Sequence, residues 1–178
     1  MQYLLAYMLR GDNKIYHEKL ADDVSTRFGV RSVNKSMDSH ITLKAPFSAD
    51  ENLIEKVKES IKLFCKQSKV VELQVNDFGS FGTYALFMKV EPNKPQLLTD
   101  LLLKLKEIQN LEFSEYEFEN TLHISVAKRD IGDKFNDIQK YLNEQYKPKL
   151  NISLDSISLC KKENGGRWEV LEEFKLQN

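Results

Sequence analysis

No apolar run in the chain approaches the roughly 20 residues that a membrane-spanning helix needs, and the start Met1-Gln2-Tyr3-Leu4-Leu5-Ala6-Tyr7 lacks the basic region and cleavage site of a secretory leader. Only two cysteines occur, Cys65 and Cys160, each within an apolar-periodic stretch and neither at metal-ligand spacing. They read as reduced, buried thiols rather than a disulfide framework, and with the missing leader they imply a cytoplasmic location. An excess of one charge sign is also absent. A net charge of −1 argues against a surface built to track a long polyanion and suits a small or terminal phosphate better. With 41 % hydrophobic and 30 % charged residues there is no sign of disorder, and 178 residues suit a single bilobal domain, expected as a monomer.

Histidine is scarce as well: there are three, and two of them open nearly identical tripeptides 83 residues apart, His40-Ile41-Thr42 and His123-Ile124-Ser125. Each lies in an alternating run, so a strand would turn the imidazole and the hydroxyl to one face and the aliphatics to the other. One such motif alone would mean only a polar residue on a wet sheet face. Two at matching places in similar halves point to shared chemistry.

The order of elements repeats too. After an opening strand over residues 2–9, Asp12-Asn13 can cap a helix over 14–28 with Ile15, Leu20, Val24 and Phe28 buried, ended by Gly29. Strand 39–45 carries the first motif and ends at Pro46, and Ser48-Ala49-Asp50-Glu51 opens a helix burying Leu53, Val57, Ile61 and Phe64. Strands 70–77 and 82–90 flank a loop at Phe78-Gly79-Ser80-Phe81-Gly82. The second half continues with a helix over 95–109, a loop from Glu112 to Asn120, the second motif strand, a helix over 133–145, and strands 150–161 and 167–176 around Glu163-Asn164-Gly165-Gly166. His40 precedes Gly79 by 39 residues and His123 precedes Gly165 by 42, which marks repeat units of about 14–90 and 95–176. The expected fold is α+β: two duplicated αβ lobes related by a pseudo-two-fold axis, their antiparallel sheets facing across a central cleft where the histidines meet.

Two imidazoles in a cleft suit transfer at phosphorus. One proton leaves the attacking oxygen and another reaches the leaving oxygen, on opposite sides of an in-line displacement. With an unperturbed pKa near 6.5, one ring can serve as base and the other as acid, while the hydroxyls two residues on donate to non-bridging oxygens. No metal or other cofactor is called for. Positive charge clusters beside the motifs at Lys44, at Lys128-Arg129, and at Lys161, Lys162 and Arg167.

His40-Ile41-Thr42-Leu43 and His123-Ile124-Ser125-Val126, each at a fixed place in a repeated half, resemble the motifs of the 2H phosphoesterase superfamily, the group of 2′-5′ RNA ligases and RNA 2′,3′-cyclic phosphodiesterases. The segment Glu163-Asn164-Gly165-Gly166-Arg167-Trp168-Glu169-Val170 resembles the last hairpin of small bacterial members. The resemblance covers nearly the whole chain. It implies metal-independent hydrolysis of a 2′,3′-cyclic phosphate on a nucleotide or RNA terminus, with a 2′-phosphate as product. His40 would be the proton donor, His123 the proton acceptor, and Thr42 and Ser125 the phosphate-binding hydroxyls. The ligases continue the first motif with a glycine-containing stretch where Lys44-Ala45-Pro46-Phe47 stands here, which leaves substrate choice open. ADP-ribose 1″,2″-cyclic phosphate, 2′-5′ linked RNA, ligation of RNA halves, and a non-catalytic RNA-end or phosphate-binding module are the alternatives.

Lys44 and Arg129 are candidate phosphate contacts, and Phe47, Phe81 and Tyr84 are candidates to line the cleft and stack on a base. Trp168 is assigned to packing of the final hairpin and His17 to solvent. Glu112, Glu115, Glu117 and Glu119 are read as a solvated connecting segment.

Overall fold

Among the described residues, strands whose apolar residues alternate pair into two antiparallel sheets of four, and four α-helices bury their apolar stripes against them. The computed structural model describes residues 1–119 and 121–178, so Asn120, the expected end of the Glu112 loop, lies outside the described residues. Strand β1 (Gln2–Met8) leads to α1 (Gly11–Phe28), β2 (His40–Ser48), α2 (Glu51–Cys65), β3 (Val71–Phe81) and β4 (Ala85–Glu91). Then come α3 (Gln96–Lys106), β5 (His123–Lys128), α4 (Phe135–Gln145), β6 (Leu150–Leu154), β7 (Ser156–Lys162) and β8 (Glu169–Lys175). No helix among the described residues is long and apolar enough to cross a membrane. Both cysteines are free and buried.

The sheets have strand orders β2-β1-β7-β8 and β5-β4-β3-β6. Exchanging β1 with β4, β2 with β5, β7 with β3 and β8 with β6 converts one order into the other, which is the pseudo-symmetry expected of a duplicated α+β chain. Each sheet takes strands from both halves, because β3 leaves the first sheet to pair with β4, and β7 returns to pair with β1. Helix α1 likewise packs on β5 and β6 of the second sheet, and α2 on β7 and β8 of the first. The halves interlock, and one continuous core, with Leu5, Leu20, Ile41, Leu86, Ile124 and Leu159 at no exposure, joins them.

Several local expectations are corrected. The strand expected over 150–161 is two strands, broken at Asp155, because β6 pairs with β3 and β7 with β1. Asp155 is held at this crossing by Arg10, whose guanidinium also reaches Ser156 Oγ at 2.7 Å and Glu173 Oε2 at 2.6 Å. That use of Arg10 accompanies an α1 starting at Gly11 with no side-chain cap, in place of the expected Asp12-Asn13 cap. The buried stripe of α1 is His17, Leu20, Ala21 and Val24, while Ile15 is exposed. Pro46 does not end β2, which runs on to Ser48. Proline is tolerated there because β2 is an edge strand and its register against β1 slips between the pairs Leu5↔Lys44 and Tyr3↔Phe47. The turn between β3 and β4 is only Gly82-Thr83-Tyr84, with Gly82 at φ +50°, since Gly79 to Phe81 remain paired. Helix α2 begins as expected, with the Asp50 carboxylate accepting from Leu53 N at 2.8 Å, a cap that contributes about 1 kcal/mol.

Candidate active site

β2 and β5 carry the two motifs, and both strands contain the same irregularity. Against β1, Ala6 pairs with Thr42 but Leu5 pairs with Lys44, so Leu43 is an extra residue. Against β4, Phe87 pairs with Ser125 but Leu86 pairs with Ala127, so Val126 is an extra residue. Each motif strand therefore bulges immediately after its hydroxyl. Bulges of this kind sharpen the local twist and re-aim side chains, and they are common beside active sites.

The two imidazoles are also held alike. His40 Nδ1 lies 2.7 Å from the Asp38 carbonyl and His123 Nδ1 lies 2.9 Å from the Thr121 carbonyl, in each case two residues back along the chain. A carbonyl oxygen only accepts, so Nδ1 carries the proton in both rings and Nε2 is the atom left to exchange one. His40 and Ser125 line one small hollow, Thr42 and His123 another, and His40 and Thr42 a third of about 260 Å³ with Lys128, Arg129 and Trp168. His40 lines two of these hollows and Thr42 two, so the three adjoin one another around the motif residues.

The third histidine, expected to face solvent, is buried and ties the two motifs together. His17 Nε2 donates to the Ser125 carbonyl at 2.8 Å, which leaves Nδ1 to accept from Ser39 Oγ at 2.6 Å. Ser39 precedes His40. A single ring on α1 thereby bridges the start of one motif and the hydroxyl position of the other. The spacing of His17, Leu20, Ala21 and Val24 is the i, i+3, i+4, i+7 pattern of a buried face, and it was the available signal.

Burial pushes the His40 imidazole down to about 4; Lys128, His17 and His123 add to the shift and the Asp38 carbonyl opposes it. Burial likewise lowers His123, against the Thr121 carbonyl and with help from Lys128. Burial, then Arg129, lowers the Lys128 ammonium. Arg129 stands in the left-handed region at φ +77°, a conformation costing about 1–2 kcal/mol outside glycine, and its N–H donates to the Tyr84 carbonyl at 3.0 Å. Among the described residues no group of three or more His, Cys, Asp or Glu side chains is placed to hold a metal ion.

The remaining candidates divide. Arg129 lines the cleft. Phe81, 44 % exposed, stands edge-on to His123 at 5.0 Å between ring centroids and packs on Phe87, which touches the same imidazole at 5.1 Å. Tyr84 is exposed and lines none of these hollows. Phe47 is buried in the core beside Tyr3 and is not a cleft residue. Lys44 is not one either. The extra residue Leu43 takes it out of the His40–Thr42 alternation, and its Nζ, fully buried, donates to Glu117 Oε1 at 3.0 Å and to the Glu112 carbonyl at 2.8 Å. It lies 3.9 Å from the centroid of Phe113. Glu117, read as solvated, is buried and also accepts from Ala45 N and Ser114 N. Trp168, assigned to the hairpin, lines the hollow of His40, and its backbone N–H donates to the Ser36 carbonyl. Arg167 pairs with Asp38, whose carbonyl holds His40.

Comparisons of sequence and fold place the chain among known proteins. A protein of Geobacillus kaustophilus named "Putative phosphoesterase" is 30 % identical over 139 residues, covering 76 % of each chain. In fold, the chain is similar to TT0787 of Thermus thermophilus, with a TM-score of 0.64 at 14 % identity, covering 99 % of this chain and 98 % of that one. It is also similar to E. coli LigT crystallised with 3′-AMP, with a TM-score of 0.60 at 12 % identity and the same coverage. The profile of the 2′-5′ RNA ligase superfamily matches residues 15–166, a span holding both histidine motifs, and the chain belongs to that superfamily of 2H phosphoesterases.

Proposed function

We propose that the chain hydrolyses 2′,3′-cyclic phosphates on nucleotides or RNA ends, without a metal, by paired histidine acid–base catalysis. The observation that carries this reading is the matched anchoring of His40 and His123 through Nδ1, which leaves the Nε2 atom of each ring for proton exchange. Water attacks phosphorus as His123 Nε2 takes its proton; the bond to the 3′ oxygen breaks, and His40 Nε2 supplies that oxygen with a proton. The 2′-phosphate remains. Thr42 and Ser125 hydroxyls donate to the non-bridging oxygens, and Lys128 and Arg129 offset the charge that accumulates there.

Burial favours the neutral form of both rings. A bound phosphate monoanion favours the imidazolium form and raises both, which supplies the acid the reaction needs. The complex of LigT with 3′-AMP, a nucleotide in a protein of this fold, supports a nucleotide substrate.

The test is hydrolysis of the four nucleoside 2′,3′-cyclic phosphates in EDTA, with the phosphate position of the product assigned by NMR. Turnover to 2′-phosphates is expected. Absence of turnover by folded protein, or turnover that EDTA abolishes, would overturn the reading.

A further inference from the structure

Next to the histidine cleft lies a second cavity of about 380 Å³, walled by Arg31, Lys128, Arg129, Asp130 and Lys162 and by the Gly165-Gly166 turn of the last hairpin. It is continuous with the cleft, because Lys128, Arg129 and Lys162 line both. Some cations elsewhere are neutralised, Arg10 by Asp155 and Glu173, Lys14 by Asp38, Lys89 by Asp77 and Arg167 by Asp38, and others stand singly on the surface, so it is convergence on one hollow that sets the cavity's cations apart. Arg31, Lys128, Arg129 and Lys162 make no ion pair among the described residues. The one carboxylate in the wall, Asp130, accepts from the backbone N–H of Arg31 at 2.8 Å. Four cations against one anion therefore converge on a hollow in a chain of net charge −1. Arg129 reaches both hollows from a left-handed backbone at the end of β5, a strained conformation of the kind that clusters at ligand clamps.

The geometry points to a second anion subsite, which takes a phosphate group one linkage away from the scissile one. This rests on the cyclic-phosphate reading and narrows it: the favoured substrate carries a further phosphodiester or pyrophosphate, and a lone nucleoside cyclic phosphate fills only half of the site. Arginine forks and lysine ammoniums suit such oxygens, and the turn at Gly165-Gly166 presents no side chain to block their approach.

The experiment compares kcat/KM for adenosine 2′,3′-cyclic phosphate, the dinucleotide ApA ending in a 2′,3′-cyclic phosphate, and ADP-ribose 1″,2″-cyclic phosphate. The wild type is measured beside Arg31→Gln and Arg31→Gln/Lys162→Gln. At low salt one of the two larger substrates is expected to exceed the mononucleotide by about tenfold. That ratio should shrink severalfold in the double variant, and the salt dependence should be steeper by about one counterion for the larger substrate. A diester preference identifies an RNA end, and a pyrophosphate preference identifies an ADP-ribose product. Equal rates on all three, or a preference that survives the double substitution, would overturn the inference while leaving the cyclic phosphodiesterase standing. No turnover of any of them would overturn both.

Discussion

Lys44 and Glu117 lie against each other with almost no solvent exposure, and every oxygen of the carboxylate is bonded. A buried pair of this kind adds little relative to an apolar pair of equal volume, but removing one partner strands the other charge. Lys44→Met is therefore expected to destabilise the fold by about 3–5 kcal/mol in urea unfolding, and Lys44→Met/Glu117→Gln, which removes the stranded charge and keeps an acceptor for a backbone N–H, to recover part of the loss. Burial also makes His40 a pH-dependent element. Its folded pKa of about 4 lies below the unfolded value of 6.5, so the unfolded chain binds the proton first as pH falls. The stability it contributes is complete above pH 6.5 and is lost progressively down to pH 4. Between pH 7.5 and 5 the loss is about 2 kcal/mol from His40 alone, and His40→Gln should flatten the slope of unfolding free energy against pH by that amount.

At the scale of the element, β3 and β4 support the second motif through one close approach. A Cβ on Gly79 would stand 2.7 Å from the ring of Phe87, which itself packs on His123. Gly79→Ala should displace Phe87 and lower kcat by about tenfold with little change in the melting temperature, since a misplacement near 1 Å is enough for that. Helix α1 acts through His17: His17→Leu leaves Ser39 Oγ and the Ser125 carbonyl without their partner and is expected to reduce kcat more than it raises KM, with partial rescue by His17→Gln. A rise in KM alone, with kcat intact, would exclude the positioning role. These elements also show what the sequence made legible. The paired motifs, the capped start of α2 and the strand alternation were readable because they are local patterns. The bulges at Leu43 and Val126 were not, because an extra residue in a ladder is defined only against its partner strand. That slip moved Lys44 out of the cleft, and the buried face of His17 lost to a stripe drawn through Ile15.

On the scale of the molecule, the interlocking of the two sheets explains why one cleft is formed. Each sheet borrows strands from the other half, and the helix after β1 packs under β5, so neither motif can be positioned without the other half of the chain. The sequence announced two similar halves, but the exchange of β3 and β7 between sheets depends on pairings that no local pattern encodes. The electrostatics of the assembled cleft set the pH behaviour of catalysis. The limbs of kcat/KM, which report the free protein, should bracket a window extending below pH 6, because burial lowers both histidines. The kcat profile, which reports the complex, should shift to higher pH as bound phosphate raises both rings. Profiles that coincide would argue against an anion held between the imidazoles.

The most direct test of the paired-histidine account is the turnover number of His40→Ala and His123→Ala beside the wild type on adenosine 2′,3′-cyclic phosphate, with folding of each variant verified by circular dichroism and thermal melting. The account predicts that each substitution lowers kcat by about 10²–10⁴ while the protein remains folded. A folded variant of either kind that keeps wild-type turnover would contradict it.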